Sequence, residues 1–312
     1  MSKNCQIRVP ATSANLGPGF DILGLALSLD NYVRIEEYEG PEKVRTEIYS
    51  SWPEKRKIEI EVEEDIIRNT LALLAETAGR SLAGVKITEE LYIGPARGLG
   101  SSAAAIAGTL QAANHYFKLG MSTSRLLKLA CRIEGHSDNV VPAFQGGLTI
   151  SSYDFDNNKV YWDKLLPHPA LKLAVIVPEL TSRTEVQRTV MPDKFELAEV
   201  IHNMGRTALL PLALSSGRWE ELKNLMQDKL HQPYRCGNLR AWESVVQAGY
   251  RAGALGIALS GAGPAVLALA REDIIEIGER MAEAWRQEGV QARHFTAIPD
   301  TKGSYLVNEE GC

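Results

Sequence analysis

The chain lacks the features that mark several classes of protein. Its four cysteines are scattered along 312 residues without the spacing of a metal site. No apolar run reaches the length of a transmembrane helix, and the first residues contain no signal-peptide core. The net charge of -5 offers no general attraction to nucleic acid or to an anionic membrane. We therefore expect a cytoplasmic protein with reduced thiols and with no nucleic-acid or membrane partner.

Two common nucleotide-binding signatures are absent or incomplete. The tripeptides Gly-Lys-Ser and Gly-Lys-Thr do not occur, which excludes a Walker P-loop. Residues 98–103 fit the dinucleotide pattern Gly-x-Gly-x-x-Ala, but that motif needs an acidic residue about 20 positions later. Around that distance the chain reads Lys118-Leu119-Gly120-Met121-Ser122-Thr123, without a carboxylate. A Rossmann site is therefore only weakly indicated.

The length and composition of the chain are typical of a globular enzyme. Hydrophobic residues make up 45% and charged residues 23% of the chain, and 312 residues suffice for about two domains. Helical and strand-like segments alternate in a mixed order, and two prolines at 167 and 169 favour a domain boundary there. The predicted strands are 5–9, 23–35, 58–62, 85–88, 148–152 and 171–177, followed by a strand–loop–strand over 256–270. The predicted helices are 65–78, 101–117, 122–133, 195–215, 219–228, 241–251 and 274–287.

The most informative segment is Gly98-Leu99-Gly100-Ser101-Ser102-Ala103-Ala104, between a strand-like run and an alanine-rich helix. The first N–H groups of a helix have no intrahelical partner, and the helix dipole adds partial positive charge there. Glycines let the backbone approach an anion closely, and serine hydroxyls can reach a phosphate or its metal. The segment predicts a nucleotide phosphate site. The plainer alternative is a turn of small residues capped by Ser101.

Three further islands interrupt the ordinary pattern. Residues 10–21 read as a rigid polar loop after the first strand, residues 134–143 contain Glu-Gly-His-Ser-Asp-Asn, and residues 260–265 read Ser-Gly-Ala-Gly-Pro-Ala. Each alone has an ordinary interpretation, such as a capped turn, a structural histidine or a tight hairpin. Their occurrence together and in this order favours a composite site.

With these motifs, the chain resembles the GHMP kinases, which include galactokinase, homoserine kinase, mevalonate kinase and phosphomevalonate kinase. The first two islands are most similar to those of the homoserine kinases within this family. The resemblance implies an α+β fold of two domains. The N-terminal domain, residues 1–167, would be like ribosomal protein S5 domain 2, and the C-terminal domain, residues 168–312, would be ferredoxin-like. It also implies ATP and Mg²⁺ as cofactors, L-homoserine as substrate and a place in threonine biosynthesis.

The resemblance also implies roles for individual residues. Ser102, or its neighbour Ser101, and Glu134 would hold Mg²⁺, and the loop of Gly261, Gly263 and Pro264 would support the phosphate loop. Residues that would bind ATP are Pro95, Ala96, Arg97, Gly98, Leu99, Gly100, Ser101, Ser102, Ala103, Ala104 and Ala105. The expected catalytic residues are Asp138, Asn139, Thr184 and Arg188. The expected substrate-binding residues are Asn15, Asp21, His136, Asn139, Arg188 and Arg235.

The charges of the implied substrate agree with this set. Homoserine carries a carboxylate, which a pair of arginines can bind through planar guanidinium groups. Its ammonium would lie on Asp21, and its hydroxyl would face Asn139 or Asp138, which the sequence alone does not distinguish. Two alternatives stay open: another GHMP kinase, acting on threonine or an isoprenoid precursor, and a non-catalytic ligand sensor. A homodimer is also possible.

Overall fold

The protein is described from a computed structural model, which covers residues 4–52, 54–61, 64–180 and 189–310. Its strands are β1 (Asn4–Ala14), β2 (Leu23–Glu37), β3 (Val44–Ser50), β4 (Arg56–Ile58), β5 (Val85–Leu91), β6 (Leu148–Asp154), β7 (Lys159–Leu165), β8 (Lys172–Pro178), β9 (Gly256–Leu259), β10 (Val266–Ala270), β11 (Ala292–Ala297) and β12 (Tyr305–Glu310). Its helices are α1 (Ile66–Ala78), α2 (Ser101–Tyr116), α3 (Thr123–Glu134), α4 (Val140–Gln145), α5 (Leu197–Ser216), α6 (Leu222–Leu225), α7 (Gln232–Arg235), α8 (Trp242–Arg251) and α9 (Ile274–Gln287).

The strands form two sheets. The larger has eight strands in the order β12-β1-β2-β5-β3-β4, with β6 paired to β2 and β7 paired to β6. The smaller has the order β11-β8-β10-β9, with antiparallel pairs throughout. Together with the helices between its strands, this order is the ferredoxin-like arrangement. The expected α+β fold of two parts is confirmed.

One core lies between the larger sheet and helices α1 to α4. Helix α2 is the most deeply buried of these, because its small residues let it approach the sheet closely. A Cβ at Gly108 would lie 2.3 Å from a methyl group of Val33 on β2. This close packing fixes the axis of α2, and with it the position of its first turn.

Two further cores join the small sheet to the rest of the molecule. The inner face of the small sheet packs against strands β1, β2 and β6 and against helix α5, through residues such as Leu25, Leu173 and Leu210. The outer face is covered by α8 and α9, where Trp285 is fully buried and its indole N–H donates to the Arg240 carbonyl at 2.9 Å. The two sheets therefore share an apolar core.

Several expectations from the sequence are wrong at element boundaries. The first strand continues through Pro10 to Ala14, with a register shift between Pro10 and Ala11, because a bulge accommodates a residue that has no N–H to donate. A strand was expected over 58–62, but β4 ends at Ile58, and residues 59–61 form no strand. The helix expected over 219–228 is a short 3-10 turn followed by α6. Strands β3, β7, β11 and β12 were not predicted.

The last strand returns to the first half of the chain. Strand β12 pairs with β1, so the larger sheet draws on both sides of the predicted boundary after residue 167. Buried Arg8 holds this connection, because its guanidinium lies 2.7 Å from Asp300 and donates to the Gly303 carbonyl at 3.1 Å. In the described part of the chain, no helix has both the length and the apolar composition needed to cross a bilayer.

Candidate active site

The loop before α2 ends in a helix terminus whose first N–H groups receive no side-chain cap. The backbone is left-handed at Ala96, Gly98 and Gly100, with φ of 58°, 79° and 67°. Helices α1 and α3 are capped by the side chains of Asp65 and Ser122, whereas α2 starts from Gly100 without a side-chain cap. The expectation that Ser101 merely caps a turn is therefore wrong. The N–H groups at this terminus remain suited to an anion.

The loop of residues 260–264 braces the phosphate loop. The Ser260 hydroxyl donates to the Gly98 carbonyl at 2.6 Å and lies 2.8 Å from the Ser13 hydroxyl. A Cβ at Gly98 would lie 2.3 Å from the Ser260 carbonyl oxygen, which explains the need for glycine. The Ala265 N–H also donates to the Arg97 carbonyl at 3.1 Å. The structure thus brings together the two glycine loops that the sequence separates by about half its length.

A serine and a glutamate meet beside this helix terminus. Ser102, on the first turn of α2, donates a hydrogen bond from its hydroxyl to Glu134 Oε2 at 2.6 Å. Glu134 is the last residue of α3, immediately before Gly135, which has a φ of 84°. Mg²⁺ prefers oxygen ligands such as those of hydroxyl and carboxylate groups, so this pair of side chains fits a magnesium ion.

The second island forms a charged cluster next to this pair. His136 Nδ1 lies 2.6 Å from Asp138 Oδ1, and its Nε2 lies 3.9 Å from Glu134 Oε1. Burial by itself lowers the pKa of His136, but the hydrogen bond to Asp138 and the charges of Asp138, Glu134 and Asp21 raise it to about 9. The imidazole therefore carries a proton at neutral pH and acts as a donor. Ligand atoms of Asp21, His136 and Asp138 all lie within 4.8 Å of one another.

Asn139 stands between the phosphate loop and the first strand. Its Oδ1 accepts a hydrogen bond from the Thr12 hydroxyl at 2.7 Å. A Cβ at Gly100 would lie 1.9 Å from Thr12 Oγ1 and 3.0 Å from Asn139 Oδ1. Thr12 also donates its N–H to the Leu99 carbonyl at 3.1 Å. Thr12 therefore positions both Asn139 and the phosphate loop, a role that sequence reasoning missed.

The first island and α7 supply groups of opposite charge to the same wall. The Gly261 carbonyl accepts from Asn15 Nδ2 at 3.0 Å and from Arg235 Nη1 at 3.3 Å. The Asn15 Oδ1 in turn accepts the N–H of Asp21 at 3.0 Å. Arg235 is buried, and its guanidinium lies 5.0 Å from the centre of the Phe20 ring. One chain of contacts thus runs from Arg235 to Asp21.

The comparisons with known proteins agree with this geometry. Residues 65–147 match the family model of the GHMP kinases N terminal domain, and residues 210–287 match that of the GHMP kinases C terminal domain. A homoserine kinase from Halothermothrix orenii is 37% identical over 96% of this chain and 95% of its own. One from Persephonella marina is 36% identical over 97% and 98%.

The chain belongs to the homoserine kinase family of GHMP kinases. The resemblance inferred from the motifs is thereby confirmed. The crystal structure of a homoserine kinase from Cytophaga hutchinsonii covers 97% of both chains with a TM-score of 0.85 and 24% identity, so it has the same fold.

In this GHMP kinase, a buried network lies behind residues 15–22, which join β1 to β2 and include the expected substrate-binding residues Asn15 and Asp21. We call these residues the substrate loop; sequence reasoning did not predict the network behind it. The Asp228 carboxylate accepts from Asn203 Nδ2 at 2.6 Å and from the backbone N–H groups of residues 230–232 at 2.8, 3.0 and 2.6 Å. Asn203 also donates to the Pro18 carbonyl at 2.9 Å, and His231 Nε2 lies 2.7 Å from the Gly17 carbonyl oxygen. An aspartate three residues before His231 is typical of a turn, which was the available signal.

Two expected residues cannot be placed. Thr184 and Arg188 lie outside the described residues, so their predicted roles stay predictions.

Arg97, expected at the ATP phosphates, donates from its side chain to the carbonyls of Pro178 at 3.4 Å and of Leu180. Burial lowers the pKa of this guanidinium. Its side chain therefore joins the phosphate loop to the end of β8.

Proposed function

We propose that this protein is a homoserine kinase, which transfers the γ-phosphoryl group of ATP to the hydroxyl of L-homoserine and so serves threonine biosynthesis. The observation that carries the proposal is the chain of contacts from Arg235 through the Gly261 carbonyl and Asn15 to Asp21. The chain ends at the backbone N–H of Asp21, so it brings the residue that carries this carboxylate near the guanidinium of Arg235. A guanidinium and a carboxylate suit the two charges of an amino acid. Mevalonate lacks the ammonium, and neutral sugars lack both charges.

The phosphates of ATP would lie on the N–H groups at the start of α2. Glycines at 98 and 100 supply the left-handed backbone that leads into the helix, and the N-terminal turn of the helix attracts anions. Ser102 and Glu134 would hold Mg²⁺, which would neutralise charge on the transferring phosphoryl group. Positioning and charge neutralisation account for most of the catalysis of phosphoryl transfer, so the site requires little further chemistry.

The acceptor hydroxyl would be bound by Asn139. The Thr12 hydroxyl already donates to the amide oxygen of Asn139 at 2.7 Å. The NH₂ group of Asn139 can therefore donate a hydrogen bond to the oxygen of the acceptor hydroxyl. His136 Nδ1 lies 2.6 Å from Asp138 Oδ1, so each of these two side chains is already engaged by the other. We infer direct transfer, in which the hydroxyl oxygen forms the new P–O bond as the bond to ADP breaks, and its proton leaves with the product or solvent.

The proposal is tested by ADP release with a panel of acceptors. We expect turnover with ATP, Mg²⁺ and L-homoserine to exceed that with threonine, shikimate, mevalonate and galactose by at least about 100-fold in kcat/KM. Glu134→Gln removes one charge at the predicted metal site and should lower kcat by at least about 100-fold. Glu276→Gln, on the exposed surface of α9, is the matched control and should leave kcat unchanged. Nucleotide binding without turnover of any acceptor would instead support a ligand sensor.

A further inference from the structure

Phe20 stands directly before Asp21 in the substrate loop and contacts the side chains at the two ends of α7. Its ring centre lies 5.3 Å from that of His231, and the two rings are stacked with an angle of 27° between their planes. The guanidinium carbon of Arg235 lies 5.0 Å from the same ring centre. The Arg235 N–H donates to the His231 carbonyl at 3.0 Å, so these residues are one helical turn apart and share one side of it. A single aromatic ring therefore contacts both side chains.

The backbone of the substrate loop fixes the place of this ring. The Ile22 N–H donates to the Gly19 carbonyl at 3.0 Å, which closes a turn around Phe20. A Cβ at Gly17 would lie 2.3 Å from the Met226 carbonyl oxygen, so the loop lies directly against the residue that follows α6. The loop cannot move the ring away from α7 without losing these close contacts.

The imidazole of His231, on which Phe20 stacks, is buried and held by two polar contacts. Its Nε2 lies 2.7 Å from the Gly17 carbonyl oxygen and 3.3 Å from Asp228 Oδ2. Burial lowers the pKa of His231, so its ring is neutral at pH 7. The neutral ring adds no positive charge beside the guanidinium of Arg235, and it gives Phe20 a fixed surface to stack on.

The guanidinium of Arg235 has to be oriented as well as placed. Two parallel N–H groups must point at the two oxygens of a carboxylate to bind it in the strongest geometry. Arg235 is 2% exposed and donates from Nη1 to the Gly261 carbonyl at 3.3 Å. A cation within about 6 Å of a ring centre is attracted to the face of the ring, most strongly where both are removed from water. Phe20 therefore restrains the guanidinium in addition to its hydrogen bond with Gly261.

We propose that Phe20 is a positioning residue, which orients the Arg235 guanidinium toward the carboxylate of the amino-acid substrate. The inference rests on the proposed function, in which Arg235 binds that carboxylate. Leucine would fill part of the same space but has no π face, so the role requires an aromatic ring at position 20 and not merely an apolar side chain. Loss of the ring should weaken the binding of homoserine and spare that of ATP.

The first experiment measures the KM values for L-homoserine and for ATP in single variants. Phe20→Leu should raise the KM for homoserine by about tenfold and leave kcat and the KM for ATP unchanged. Phe20→Met also lacks a π face and should behave in the same way, whereas Phe20→Tyr keeps the ring and should keep the KM of the wild type. Phe155→Leu is the matched control, because Phe155 is 64% exposed and its ring pairs with that of Tyr153. Equal KM values for homoserine in the leucine and tyrosine variants of Phe20 would overturn the proposal.

The second experiment is a double-mutant cycle, which tests whether Phe20 acts through Arg235. In an Arg235→Leu background, Phe20→Leu should raise the KM for homoserine by less than about twofold, because the group that it orients is gone. Increases that multiply in the double variant would show that Phe20 acts by another route.

The cycle also separates this role from the proposed function. A wild type that does not phosphorylate homoserine would refute the proposed function and this role with it. Homoserine turnover by the wild type, combined with independent effects of the two substitutions, would refute the role of Phe20 alone.

Discussion

Replacing Gly98 by alanine should weaken ATP binding as well as lower stability. The new Cβ would lie 2.3 Å from the Ser260 carbonyl oxygen and 2.9 Å from that of Gly263, and both are backbone atoms that cannot move aside cheaply. The φ of 79° adds the cost of a left-handed residue, about 1–2 kcal/mol. Overpacking typically costs a further 1–3 kcal/mol or so. The two glycine loops would therefore be forced apart at the phosphate site.

Gly120→Ala separates these two costs. Gly120 also has a positive φ, 65°, but a Cβ there would contact nothing within 4 Å. Both variants should lose about 1–2 kcal/mol of unfolding free energy from the backbone alone. Only Gly98→Ala should raise the KM for ATP, by at least about tenfold, which corresponds to roughly 1.4 kcal/mol. Initial rates against ATP at saturating homoserine measure this effect. Equal KM values for ATP in the two variants would refute the close approach of the loops as the reason for glycine.

Further changes test the substrate wall and two buried carboxylates. Arg235 is buried, and Arg235→Leu should raise the KM for homoserine by roughly 30-fold or more, because it removes the proposed partner of the homoserine carboxylate. The KM for ATP should not change, and equal losses for both substrates would contradict this role. Asp228→Ala should raise the KM for homoserine more than that for ATP, because the network around Asp228 holds the carbonyls of residues 17 and 18. Initial rates measure both KM values, and equal increases would contradict this role. Burial, together with the charge of Asp65, raises the pKa of Glu89 from 4.5 to about 8, so the folded state loses stability as pH rises from about 4.5 to 8. Glu89→Gln should remove this loss in urea denaturation at pH 5 and 9, whereas parallel pH profiles of variant and wild type would contradict it.

Features set by neighbouring residues could be predicted from the sequence. The starts of α1 and α3 follow from Asp65 and Ser122, whose side chains accept N–H groups three residues later. The anion-binding terminus of α2 follows from glycines immediately before an alanine-rich helix. The motifs were specific enough to identify the family, because they occur together and in a particular order along one chain.

Features set by distant partners could not be predicted in this way. Residues 305–310 form strand β12 because they pair with the edge of β1, about 300 residues away along the chain. The sequence of this segment alone gives little indication of a strand. The role of Thr12 depends on Asn139 coming within 2.7 Å, and that of Asp228 depends on α5 lying behind the substrate loop. In each case the decisive contact joins segments whose proximity exists only in the folded chain.

The central claim is that the two charged ends of L-homoserine are bound while its hydroxyl receives a phosphoryl group from ATP. The most direct measurement is ³¹P NMR of ATP, Mg²⁺ and L-homoserine incubated with the protein. We expect one new phosphomonoester resonance, which grows in step with ADP and is lost in Glu134→Gln. Release of inorganic phosphate in place of that resonance, or no consumption of ATP, would contradict it.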